Sequence, residues 1–332
     1  MSHRTLPVLF ALAAAVALAP AVATAQTADD ASVPRTAWGA PDLAGVWDFR
    51  SLTPFERPEN LAGKTTLTDE DAAAVLAEAD ETWRQIQEGS DAMPTGSYNE
   101  AWYDVEGVAE DRRTSLIVDP PDGRVPAVTA AQQKRQAELA MIRRGLGAHE
   151  VTYGGWVEDI GPGHLAVRCI VGFNSGPPMQ PSAYNNNMQL FQTEDHVVLL
   201  NEMVHSTRVV PLDGRERSGI PQQMGDSRGH WDGDTLVVET TDFLRGTGFL
   251  GGLTSTHLRL VERFTRVSAQ TLLYEATLDD PTVWPVPWTF QLLMQQSPDP
   301  LYEYACHEGN YGLYNILAGA REAERAMQQQ QQ

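Results

Sequence analysis

The sequence predicts a mainly β protein, a closed barrel or a sandwich, with helices inserted after its first strand and one helix at its end. Three observations carry that expectation. From Trp156 onward, short segments that alternate apolar and polar residues recur at close spacing, with turn residues between them. Asp232-Gly233 joins two such segments, and Asp-Gly suits the positive φ angles of a type I′ hairpin. Two segments in the first half instead carry helix caps and apolar residues at helical spacing.

Residues 1–25 read as an export signal. His3 and Arg4 form a basic start, and residues 6–19 form an apolar run, interrupted only by Pro7, that is too short to span a bilayer. Ala23-Thr24-Ala25 supplies the small-x-small site, which puts cleavage after Ala25. No later run is long and apolar enough to cross a membrane, so a periplasmic or secreted location is expected, with no membrane partner.

Residues 26–41 read as a flexible start, and residues 42–326 as a single domain. In the first strand, Val46 and Asp48 alternate with Trp47 and Phe49. Thr68-Asp69-Glu70-Asp71 opens a helix that ends before Gly89, with acids complementing the helix dipole. Residues 114–118 are strand-like, and Pro120-Pro121-Asp122-Gly123 is a turn. A second helix starts at Thr129, with Gln132 completing a capping box, and ends at Arg143-Arg144-Gly145. The helical insertion therefore covers about residues 67–145. Further strands are expected at residues 166–171, 188–193, 196–203, 206–211, 228–231, 234–240, 256–265, 271–278, 288–294 and 301–306. A helix over residues 314–326 closes the domain, and residues 327–332, with the run Gln328 to Gln332, read as a frayed tail.

Gly45-Val46-Trp47 on the first strand, with a helix after the last, resembles the lipocalin-like (calycin) barrels. That resemblance implies a tryptophan closing one barrel end under a late arginine, here Arg263 or Arg266. A barrel of eight to ten strands would hold a small-ligand cavity. A β-sandwich of the same strands is the alternative.

Charge narrows the partners. The formal net charge is −20, and removing residues 1–25 leaves 23 basic residues against 44 acids, near −21. Such a surface repels phosphate backbones and anionic headgroups, so neither nucleic acid nor a membrane is expected as a partner; the charge does not identify a substrate. The two cysteines, Cys169 and Cys306, are expected to be bridged in an oxidising compartment; the alternative is two separate buried thiols.

Four clusters carry chemistry-bearing side chains. Asp226, Arg228 and His230 fall at spacing two and share one strand face, where they would bind an oxyanion and move a proton. The alternative is an ion pair on a solvated face, with Trp231 packed inward. In Tyr302-Glu303-Tyr304-Ala305-Cys306-His307-Glu308, the last two residues sit at a strand end beside Gly309, as at a cavity rim. Glu202, His205 and Arg208 share no single face, but a bend near Val204 would turn His205 inward. Tyr184 and Asn186 pair an aromatic ring with an amide, suited to a neutral hydroxylated ligand or equally to a turn. Trp288, with Trp284 and Tyr302, reads as a ligand wall or as ordinary core.

P-loop and H-E-x-x-H motifs are absent, and neither the G-x-S-x-G at 225–229 nor the G-x-G-x-x-G at 246–251 leads into an expected helix, as a nucleophile elbow or a dinucleotide-binding turn requires. No organic cofactor is expected. His205, His230 and His307 come from separate segments and offer a three-imidazole zinc site as an alternative. The favoured function is an exported enzyme doing acid–base chemistry on a small organic molecule, of lyase, hydratase or isomerase type. His230 would be the base oriented by Asp226, Arg228 the oxyanion holder, and His307 with Glu308 the acid, with His205 nearby. Tyr184, Asn186, Arg208, Trp288 and Tyr304 would contact the substrate. The alternatives are a hydrolase using the same groups and a non-catalytic periplasmic binding protein.

The segments RTSLIVDPPDGR (113–124), GDSRGHWDGDTLVVET (225–240), ERFTR (262–266) and EYACHEGNY (303–311) resemble a large family of secreted bacterial proteins. The likeness runs from about Asp42 to Arg325. It implies export and a shared fold and supplies no activity.

Overall fold

Alternation along each strand builds one antiparallel sheet that curls around its own apolar face. The computed structural model describes residues 33–88, 112–143, 169–244, 249–251 and 253–330. The expected export signal, the start of the flexible segment and the strand residues 166–168 lie outside the described residues. The strands are β1 (Gly45–Asp48), β2 (Ile117–Asp119), β3 (Asn187–Gln192), β4 (His196–Asn201), β5 (Thr207–Pro211), β6 (Asp226–Asp232), β7 (Thr235–Thr241), β8 (Arg259–Arg266), β9 (Thr271–Asp279) and β10 (Trp288–Ser297). The helices are α1 (Asp69–Glu88) and α2 (Ala130–Arg143) between β1 and β3, and α3 (Gly312–Gln330) at the end. The mainly β class, the helices after the first strand and the C-terminal helix are as the sequence predicts.

The sheet order is β5-β4-β3-β1-β10-β9-β8-β7-β6, with β2 pairing the far end of β10 beside β1. Every second residue points inward. Trp47, Leu190, Leu199, Val238, Phe264 and Met294, from six strands, share one packed apolar cluster. Full burial of such side chains contributes about 1.5–3 kcal/mol each. At one end Arg266 lies over the Trp47 ring, its Cζ 5.1 Å from the centroid, while the Trp47 indole donates to the Leu43 carbonyl at 2.9 Å. Arg266 thus takes the arginine position expected over the G-x-W tryptophan. Arg263 instead pairs with Asp232 on the surface.

The sheet is not closed into a barrel, and strand parity gives the reason. Among the described residues nine strands lie on the path and each neighbouring pair is antiparallel, so the two edge strands, β5 and β6, run in the same direction. Closure would need one parallel ladder, which is less stable per residue than the rest. The edges meet without it. A Cβ built on Gly229 of β6 would lie 2.6 Å from Leu212 Cδ2 and 2.9 Å from Val210 Cγ1, so only glycine lets β5 and the chain after it approach here.

A buried ion pair spans the interior behind this seam. Arg208 of β5 donates through Nη1 and Nη2 to the Glu262 carboxylate of β8 at 2.6 and 2.8 Å, and the Tyr274 hydroxyl of β9 donates to Glu262 at 2.9 Å. The Met179 N–H then donates to the Tyr274 oxygen at 3.1 Å. Burial lowers the pKa of Arg208, but the charge and hydrogen bonds of Glu262 outweigh it, and the guanidinium stays charged. Burial and the neighbouring Glu262 charge push the Tyr274 phenol well above its ordinary value, so it remains a donor.

Several local expectations shift. The hairpin turn is Gly233-Asp234, because Asp232 pairs with Thr235; Gly233 has φ +60° and leads the turn, the pattern of type II′ rather than I′. Residues 301–306 are not a strand. Pro298 and Pro300 follow the end of β10 and lack the N–H groups a ladder needs. Cys169 and Cys306 form the disulfide, with Cα atoms 5.9 Å apart, but both lie in loops rather than strands. The helix α3 continues through the glutamine run to Gln330, since glutamine is a good helix former. The α1 capping box forms as expected, with Thr68 and Asp71 exchanging hydrogen bonds at 2.9 and 3.1 Å.

Glu262→Gln should lower unfolding free energy by about 3–5 kcal/mol, because it leaves the Arg208 charge buried without a counter-ion. Joint replacement, Arg208→Met with Glu262→Leu, should restore most of that loss in urea denaturation. A Glu262→Gln protein as stable as the parent would show that the pair does not hold the seam.

Candidate functional site

Where the two edge strands diverge, beyond the contact at Gly229, a cleft of about 490 Å³ opens. Thr207 and Val209 of β5 form one wall, and Asp226 and Arg228 of β6 the other; Gln222 and Gln223 close it from the preceding loop. Ile170 and Val171 also line it, directly after the disulfide-bonded Cys169, so the disulfide anchors that side to Cys306.

The β6 wall follows from register. Ser227 and Gly229 face inward opposite buried Thr240 and Val238, so Asp226, Arg228 and His230 share the outer face. Residues 212–225 lie over the first two. Arg228 pairs with Asp226 and donates to the carbonyls of Arg215 and Glu216 at 3.2 and 2.8 Å. Arg217 donates to the carbonyls of Asp226 and Glu239. The Ser218 N–H and hydroxyl donate to Asp226 Oδ2 at 2.9 and 3.1 Å. Burial raises the Asp226 pKa, but the Ser218 and Arg228 hydrogen bonds and the Arg228 charge prevail and hold it below the ordinary carboxylate value. The cluster clamps a loop, and its arginines cap carbonyls along β6.

The other expected site residues spread apart. The His230 side chain is exposed and makes no hydrogen bond among the described residues; both oxygens of Asp226 serve Arg228 and Ser218, so Asp226 does not orient it. His205 follows the expected bend, where Val204 has φ +57°, but the bend turns it outward to solvent. His307 and Glu308 are exposed in the loop between β10 and α3, and Tyr304 is half-buried in that loop. His205, His230 and His307 do not come together: among the described residues no group of three His, Cys, Asp or Glu side chains could hold a metal. Trp288 is sealed in the core beside Phe249 and Phe290. Asn186 is fully buried and pins a turn, accepting from the Ser182 N–H and donating to its carbonyl, both at 2.8 Å. Tyr184 packs edge-on against Phe173, with ring centroids 5.5 Å apart. Of the residues expected to carry the site, Asp226, Arg228 and Arg208 line the cleft, while the Arg208 guanidinium is held by Glu262 in the interior.

The sequence reading passed over Glu262 and Tyr274, as it did the cleft residues Thr207, Gln222 and Gln223. The signal was present: in Leu260-Val261-Glu262-Arg263-Phe264, alternation puts Glu262 on the apolar face, where a carboxylate needs a partner. No family model, curated protein or solved structure matches the chain, so the family likeness rests on its motifs. Among the described residues no helix is long and apolar enough to cross a membrane.

Because folding lowers the Asp226 pKa, its clamp stabilises the fold fully above the ordinary carboxylate pKa of about 3.9. That contribution fades as pH falls through the lowered folded-state value. Denaturation curves from pH 7 to pH 2 should show the parent more stable than Asp226→Asn near neutrality, with the difference shrinking in acid. A difference that does not change with pH would refute the ionised clamp.

Proposed function

We propose that the chain is an exported, non-catalytic binding protein for a small, uncharged, hydroxyl- or amide-bearing molecule, held in the seam cleft. The observation that carries this reading is the charge balance of the cleft. Arg208 is neutralised by Glu262 and Arg228 by Asp226, which leaves, among the described residues, the amides of Gln222 and Gln223 and the hydroxyl oxygen of Thr207, whose proton goes to the His205 carbonyl, to recognise a ligand beside apolar Val209 and Ile170. Acid–base catalysis is supported less well, since among the described residues no histidine lines the cleft and its one carboxylate is ion-paired. The disulfide supports a periplasmic or secreted location, where such bonds persist.

Differential scanning fluorimetry against neutral hexoses, polyols and simple amides tests the reading. A true ligand at saturation should raise the melting temperature by about 5 °C or more. Thr207→Trp, which fills the cleft from an exposed position, should abolish that shift, and His230→Ala should leave it unchanged. No saturable shift with any compound, or a shift that survives Thr207→Trp, would overturn the proposal. Loss of binding in His230→Ala would favour the acid–base reading instead.

A further inference from the structure

Arg57 is a second buried arginine, and unlike Arg208 it has no carboxylate. Its side chain belongs to a residue only 6% exposed. Nε donates to Thr114 Oγ1 and Nη1 to the Pro121 carbonyl, both at 2.9 Å. These acceptors are neutral, Nη2 makes no hydrogen bond, and no ion pair involves Arg57 among the described residues. Gly123, at φ +73°, lays bare backbone against the guanidinium: a Cβ there would lie 2.9 Å from both Cζ and Nη2. The RTSLIVDPPDGR segment thus builds the cradle, giving Thr114, Pro121 and Gly123 to hold the cation and Asp122 and Arg124 to the rim above it.

The cradle opens on a separate pocket of about 290 Å³, with Ala62 and Thr65 on the opposite side. A cation removed from water without a counter-ion is costly, and a guanidinium edge matches the two oxygens of a carboxylate. The rim decides the anion's charge. Arg124 is exposed and unpaired, but Glu59 and Asp122 also line the pocket, so a multiply charged anion meets more repulsion there than a singly charged one. The same two acids suit an ammonium group next to the carboxylate.

We propose that this pocket is a binding site for the carboxylate of a small monocarboxylic acid, with Arg57 as its anchor and an amino-acid zwitterion as the best-matched class. The site is independent of the seam cleft. It is tested on the full chain by titrating acetate, glycine and inorganic phosphate at constant ionic strength in sodium chloride, reading amide and arginine Nε shifts by heteronuclear NMR. Glycine and acetate should each give saturable shifts at Arg57, with glycine the tighter, and phosphate should bind more weakly than both. Arg57→Gln should weaken glycine about tenfold or more, as loss of a charge-assisted hydrogen bond does. Ala62→Phe, which blocks the pocket from an exposed position, should abolish binding without unfolding the chain and serves if Arg57→Gln does not fold. Thr207→Trp should leave glycine binding intact, which separates this site from the seam cleft. Tighter binding of phosphate, equal shifts from chloride alone, or glycine binding that survives Ala62→Phe would overturn the assignment.

Discussion

The sheet depends on the ion pair between Arg208 and Glu262. An odd number of antiparallel strands brings two edges together in the same direction, so the hydrogen-bond ladder that holds every other neighbour is missing where β5 meets β6. Something other than backbone must fix the spacing of these edges. The pair does so from inside, joining β5 to the third strand in from the opposite edge, with Tyr274 on the next strand as a further donor. A buried pair of this kind adds little net stability over a well-packed apolar substitute. Its geometry is strict, however: a bidentate guanidinium and carboxylate meet in one plane and at one distance, whereas apolar side chains would let the edges slide.

The seam is then held differently along its length. At Gly229 side chains from β5 and the residue after it press on bare backbone. At the other end, Asp226 and Arg228 hold residues 212–225 across the outer face. Between these two fastenings the edges carry the cleft. The same charges that secure the loop are therefore spent within the protein, and the cleft keeps neutral polar groups. An acid or base working there would have to break the loop clamp to be free.

Much of the fold was legible because alternation is a local property. Nine of the strands fall where period-two patterning put them, and both inserted helices begin at their capping residues. The Asp226, Arg228, His230 face was also correct, since side-chain direction on a strand needs only spacing. What local pattern could not carry was which side of the sheet that face would occupy and how many strands would lie between the edges. Both are set by pairing between distant segments. The 301–306 segment shows the same limit: Tyr302, Tyr304 and Cys306 alternate as a strand would, but after Pro298 and Pro300 no partner receives them.

Histidine misled for a related reason. An imidazole next to an acid and an arginine in sequence looks like acid–base machinery, yet catalysis needs those groups to be unsatisfied by one another and turned toward one cavity. Here Asp226 and Arg228 satisfy each other and His205, His230 and His307 face water. The arginines told more. Both Arg57 and Arg208 are buried, a costly place for a residue that cannot give up its charge, and each needs an account of what neutralises it. For Arg208 the account is Glu262, reached through the folded interior. For Arg57 the hydrogen-bond acceptors are neutral oxygens and the pocket beside it is open, and the carboxylate proposed there would supply the compensating charge.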